Sequence, residues 1–237
     1  MPDSKFAVSD CERCPALVRS RSRIVNGRGN TNSPKIMFVG LAPGVEEDAA
    51  GRCFVGPTGR LLRLLCDMAG VSLSDVYLTN AIRCHPAGNR RPTVQEVRDC
   101  REYLLAEIAA VKPSVLVTLG DVGLQSAYTL GRVDPETVAA HALIHIPFEE
   151  IPAGAWKIAY GRAKPKKEPE ERPPLKRPKA MPVTLSSVVG HMLAQPETGI
   201  PLIPTFHPAY LIRGNWEVAE LVLAHLDKAS RVAEGDV

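Results

Sequence analysis

The sequence predicts an α/β fold, a three-layer α/β/α sandwich with a central, mainly parallel four-stranded sheet. Four short apolar runs end at turn or polar residues, helical stretches separate them, and the polar or Gly-rich segments follow the runs. KIMFVGLAP (35–43) is a β-rich run stopped by Gly and Pro, as a buried strand feeding a loop is. In TGRLLRLLCDMAG, Leu61, Leu62, Leu64, Leu65 and Met68 form a helical stripe that ends at Gly70. The second strand is DVYLTNAI (75–82). PTVQEVRDCREYLLAEIAAVKP reads as a long helix, opened by Pro92 and Thr93 and closed before Pro113. SVLVTLG (114–120) is the third strand and leads into the helix DVGLQSAYTL. IPLIPTF (200–206) is the fourth, followed by HPAYLIRG and a last helix from about Asn215 to Arg231.

The chain of 237 residues is long enough to bury a real core, with 45% hydrophobic and 23% charged residues. We expect one domain over 1–237. No window approaches the roughly 18 apolar residues of a membrane span, and MPDSKFAVSD lacks the basic-then-apolar order of a secretory signal. The expectation is a cytoplasmic protein with no membrane partner. The net charge of +3 is uneven: AKPKKEPEERPPLKRPKAMP (163–182) holds seven Lys/Arg, three Glu and six Pro, and the rest carries 22 basic and 23 acidic residues. That segment reads as a linker, since each Pro fixes φ and deletes a backbone donor. It is either an inert insertion or a basic arm for phosphates.

Six cysteines in a reducing compartment point away from structural disulfides. Cys11 and Cys14 form a C-x2-C pair in CERCP, while Cys84 and Cys100 lie far along the chain. Two such pairs brought together supply four thiolates, which suits tetrahedral zinc or a [4Fe–4S] cluster; a redox pair and plain buried thiols are the alternatives. Cys53 and Cys66 have no partner at ligand spacing and read as core residues.

Three segments fall at the carboxyl ends of the strands, where α/β sheets bind ligands: 40–60, 79–92 and 205–214. The first combines five glycines with Glu46, Glu47, Asp48 and the aromatic Phe54. Neither phosphate-loop pattern is present, which disfavours a nucleoside triphosphate site. Asn80 offers a donor and an acceptor suited to a base edge, or a turn cap. His207 before Pro208 leaves the sheet in the third segment.

The combination of CERCP, GLAPGVEEDAAGRCFVGPTGRLL, LTNAIRCHPAGNRRPT, LGDVGLQSA and PTFHPAYLIR resembles the uracil-DNA glycosylase superfamily, most closely its family 4, the iron–sulfur enzymes. The resemblance covers about residues 8–131 and 199–231, with a longer and unaligned insertion at about 132–198. It implies a monomeric base-excision repair enzyme that flips uracil out of DNA and removes it hydrolytically. It also implies a [4Fe–4S] cluster on Cys11, Cys14, Cys84 and Cys100. In the pocket it puts Phe54 stacked on uracil, Asn80 on the Watson–Crick edge, Gly40, Leu41 and Ala42 in substrate contact, Glu47 on the side of thymine's methyl, and His207 donating to uracil O2. His207 and Asn80 are thereby the catalytic pair. Tyr210 or Leu211 would fill the gap left by the flipped base and Arg213 would hold a phosphate.

This sequence departs from the family's pattern at several points, the TGR tripeptide at 58–60 being a minor one. Leu41 stands where family 4 usually has Glu, and GLAP is closer to family 5, whose members accept other deaminated bases. The alternatives are therefore a broader enzyme acting on hypoxanthine or xanthine, or a silent iron–sulfur DNA-binding protein. Ala42 matches the water-activating aspartate of family 1, which leaves no side chain as general base. Cys53 replaces the usual proline.

Overall fold

The computed structural model describes residues 7–128, 189–190, 192–215 and 218–236. Among these residues the sheet has six strands rather than the expected four. Four of them are the expected runs and are parallel: β2 (Ile36–Gly40), β3 (Val76–Asn80), β4 (Val115–Leu119) and β6 (Pro201–Thr205). Two-residue strands β1 (Arg28–Gly29) and β5 (Leu193–Ala194) pair antiparallel on the two edges, giving the order β1-β3-β2-β4-β6-β5. Two residues carry no readable alternation, so sequence pattern could not announce them.

The central strands are buried on both faces, as helices covering both sides of a parallel sheet require. Ile36 and Phe38 of β2 point one way, into a cluster with Leu61, Leu62 and Leu65 of α3 (Pro57–Met68) and Val222 and Leu226 of α7 (Ala219–Glu234). Met37 and Val39 point the other way. They meet Leu104 and Ile108 of α4 (Val94–Val111) and Leu124 of α5 (Gly120–Ala127). The three-layer expectation therefore holds. Among the described residues there are also short helices α1 (Pro15–Ser20), α2 (Val45–Ala50) and α6 (Pro208–Ile212), and the last helix, expected from about Asn215, has its α-helical span at Ala219–Glu234.

A buried charge cluster ties the loop after β3 to α4. Glu107, fully buried, accepts from Tyr77 Oη and Thr79 Oγ1 at 2.7 Å each and pairs with the Arg83 guanidinium at 3.1 Å. Because one partner without the other would be an uncompensated buried charge, this pair holds 81–85 against the sheet.

The linker at 163–182 lies outside the described residues, as does most of the insertion at 132–198. The described end of that insertion supplies β5. Among the described residues, no helix is long and apolar enough to cross a membrane.

Candidate active site

β2 and β4 flank the point at which the connections leave in opposite directions, and the carboxyl ends of the strands open there into a cleft of about 830 Å³. Leu41 and Ala42 after β2, Asn80 at the end of β3, Gly120 and Asp121 after β4, and Phe206 and His207 after β6 all line it. Glu47, Phe54, Tyr210 and Arg213 line it too. The three segments singled out in the sequence thus converge on one cavity.

Gly40 and Asn80 are register partners at the ends of β2 and β3. A Cβ on Gly40 would come within 2.5 Å of Asn80 Oδ1 and 2.7 Å of the Phe54 ring. Only a bare backbone lets an amide and an aromatic ring share that spot. Phe54 itself has φ +53°, a left-handed conformation that costs about a kcal/mol in a residue with a Cβ and persists only where neighbours enforce it. The neighbours are identifiable. Arg28 Nε donates to the Cys53 carbonyl at 2.7 Å and Arg63 Nη1 to the Phe54 carbonyl at 2.9 Å. Gly59 of α3 lies so close beneath that a Cβ there would meet the Phe54 carbonyl oxygen at 2.1 Å.

The three successive carboxylates have three different tasks. Glu47 accepts from the backbone N–H of Gly44 at 3.1 Å and of Gly56 at 2.7 Å, closing the loop that carries Phe54. Asp48 accepts from the N–H groups of Ser22 and Arg23, which docks the N-terminal segment. Glu46 pairs with Arg60 at the surface. They are not an acid–base cluster.

His207 is the N-cap of α6, and its Nδ1 accepts the backbone N–H of Ala209 at 3.1 Å. An accepting Nδ1 puts the proton of a neutral ring on Nε2. Removal from water, and then the positive charge of Arg213, push its pKa down to about 4 against a weaker pull upward from Asp121. At neutral pH the ring is an uncharged Nε2–H donor.

One expected contact is corrected. Leu211 has 0% exposure and packs in the core with Leu61 and Val222, so it is not a wedge available to DNA. Tyr210, one residue earlier on the same short helix, is 41% exposed and stacks on Phe206 with centroids 5.8 Å apart. Among the polar residues of the cleft that went unassigned from sequence are Asn89, Arg90, Arg91 and Asp121. Arg91 pairs with Asp121 at 2.5 Å, and Arg90 with Glu96 at 2.6 Å. The doubled Arg in NRRP was the available signal for the first three.

At another corner, Cys14, Cys84 and Cys100 abut one apolar cluster with Leu17, Ile82 and Val97. Burial pushes the Cys14 and Cys100 thiols up, to about 11 and about 12, and at Cys14 the nearby carboxylates of Asp99 and Glu96 add to the rise. Arg21 donates to Cys84 Sγ at 3.1 Å, and the Arg83 backbone N–H serves Cys100. Among the described residues no three His, Cys, Asp or Glu side chains are grouped to hold one metal ion. A zinc ion, with Zn–S of about 2.3 Å, needs its four sulfurs within about 4 Å of each other. An all-thiol donor set with N–H groups aimed at sulfur suits a larger iron–sulfur cluster better.

A sequence model of the Uracil DNA glycosylase superfamily matches residues 27–226. The chain belongs to the uracil DNA glycosylase superfamily. It is 32% identical to the type-4 uracil-DNA glycosylase of Thermotoga maritima over 94% of this chain and 88% of that protein. It is 37% identical to the type-4 enzyme of Archaeoglobus fulgidus over 56% of this chain and 65% of that protein, just under two thirds of it. A type-5 uracil-DNA glycosylase of Thermus thermophilus is 31% identical over 63% of this chain and 80% of that protein. The matched span of the superfamily model contains every residue assigned to the cleft and excludes Cys11 and Cys14.

The imidazole of His207 should titrate near pH 4 with its proton on Nε2 above that. Long-range 1H–15N spectra of the specifically labelled ring, followed from pH 7 to 3.5, check this. A midpoint near the ordinary 6.5, or a proton on Nδ1 at neutral pH, contradicts the assigned donor.

Proposed function

We propose that the chain excises uracil from DNA by hydrolysis of the N-glycosidic bond, leaving an abasic site. The observation that carries this reading is His207 just after β6, its Nδ1 taken by the Ala209 N–H and its ring in the same cleft as the Asn80 amide and the Phe54 ring. Bond breaking leaves an oxocarbenium-like sugar and an anionic uracil, so the demand is for a donor placed where charge appears on O2. A neutral imidazole donor meets it without adding a charge that would also attract the ground state.

In this reading a flipped uracil slides over Phe54, its N3–H and O4 meet the Asn80 amide, and backbone at Gly40, Leu41 and Ala42 walls the base. Glu47 supports methyl exclusion indirectly: its two oxygens are engaged by Gly44 and Gly56, so it acts by holding the wall rigid rather than as a free charge. Tyr210 is the wedge and Arg213 a phosphate contact. Water reaches the sugar without an acid side chain at Ala42, which a reactive oxocarbenium electrophile permits. Apart from Gly40, these residues line one cleft of one chain, which supports a monomer on DNA, and the six free cysteines are consistent with a reducing, cytoplasmic setting.

We assign Cys11, Cys14, Cys84 and Cys100 as ligands of a [4Fe–4S] cluster. When bound, it would cross-link α1, the loop after β3 and α4 through thiolate–iron bonds. Arg21 and the backbone of Arg83 would stabilise the thiolates, and Glu107 would keep Arg83 in place.

A second reading, a broader enzyme that also removes hypoxanthine or xanthine, is favoured by Leu41 in the cleft wall and by the type-5 relative.

Two outcomes are expected. Oligonucleotides with a single uracil, but not those with thymine there, become alkali-labile after incubation, and His207→Ala slows that step by about 10²–10³-fold while DNA affinity holds. A His207→Ala rate equal to the parent's contradicts the assignment, and no scission with uracil refutes the function. Separately, Cys100→Ala should lose the visible charge-transfer absorbance and iron of the anaerobically purified protein, whereas Cys66→Ala keeps both. Full iron in Cys100→Ala removes it from the ligand set.

A further inference from the structure

We propose that Cys53 is a positioning residue that sets base specificity, by fixing which way round the Asn80 amide faces the flipped base. The inference deepens the reading of the cleft as a uracil-excising site and rests on it.

Cys53 is fully buried behind Asn80. Its thiol donates to the backbone carbonyl of Asn26 at 3.0 Å, and Asn80 Nδ2 approaches the same sulfur at 3.7 Å. The Asn26 carbonyl can only accept, so the single thiol proton is committed to it, and the sulfur is left with lone pairs alone toward Asn80. Burial holds the thiol protonated, with its pKa pushed up to about 12. With Nδ2 toward the sulfur, both buried contacts are satisfied. With Oδ1 there instead, lone pairs face lone pairs, or the thiol abandons the carbonyl and leaves it unpaired.

The consequence is chemical. An amide presented one way accepts from N3–H and donates to O4, the uracil pattern. Rotated by half a turn about its last bond it donates to N3 and accepts from an exocyclic amine, the cytosine pattern. The two orientations have nearly the same shape, so sterics in the cleft do not distinguish them. Of the two Nδ2 hydrogens, one is held by Cys53 and the other is free for O4.

The test is single-turnover excision by saturating enzyme from duplexes with uracil or cytosine opposite guanine at one position. Parent, Cys53→Ser, Cys53→Ala and Cys53→Val are compared, with thermal unfolding of each recorded. Serine keeps one proton for Asn26 and lone pairs for Asn80, so Cys53→Ser should retain the parent uracil-to-cytosine ratio. Cys53→Ala should narrow that ratio by about tenfold, with cytosine release becoming measurable. Cys53→Val, which fills the space without an acceptor, should follow Cys53→Ala even if alanine leaves too large a hole to fold well. Equal slowing on both bases in Cys53→Ala and Cys53→Val, with the ratio unchanged, overturns the proposal and leaves Cys53 a packing residue. A parent that releases no uracil overturns the functional reading itself, a result distinct from an unchanged ratio in an active parent.

Discussion

Glu47 bridges two backbone N–H groups, and most of the site depends on that bridge. Its carboxylate draws Gly44 and Gly56 together, so the eleven residues between them form a closed loop rather than a free excursion from β2. Closure sets where Phe54 sits. Arg28 and Arg63 then take the carbonyls of residues 53 and 54, and Gly59 admits the backbone of Phe54 at a distance no side chain would allow. The left-handed φ of Phe54 is sustained by these contacts together. A ring held this way meets an incoming base without an ordering cost at the moment of binding.

The same economy governs the two polar groups. Asn80 is placed by strand register against a residue with no side chain, and His207 by being the N-cap of α6. Neither depends on a flexible loop. The cap bond of His207 is also what makes it a donor toward the cleft, so a bond that stabilises a helix start and a bond that selects a tautomer are one and the same. Between the cleft and the thiol corner, Arg83 and Glu107 form a buried link, so the segment carrying Cys84 is anchored to the sheet that carries Asn80.

The parallel strands were legible because a strand buried on both faces is a run of apolar residues, and 36–40, 76–80 and 115–119 are such runs. The edge strands and helices of five or six residues were not, since a period needs more than one or two repeats. At the site, Phe54, Asn80 and His207 stood out through their motifs. Arg28 and Arg63 did not, because they serve carbonyls 25 and 9 residues away and no local pattern marks such contacts. Leu211 was misread for a simple geometric reason: one step along a helix turns a side chain by about 100°, so Tyr210 faces out and its neighbour faces the core. The neighbouring carboxylates at 46–48 carry no mark in the sequence of their separate tasks, and the fold sends them to three different partners.

The central claim is that the cleft is built in advance for a flipped uracil. A crystal structure of His207→Ala bound to a duplex with one uracil tests it directly. The account predicts the uracil extrahelical, its ring on Phe54 and its edge on the Asn80 amide, with residues 44–56 in the arrangement described above and Tyr210 in the vacated stack. A uracil still paired in the duplex, or seated away from Phe54, or a loop that has had to open its Glu47 bridge to admit the base, would contradict it.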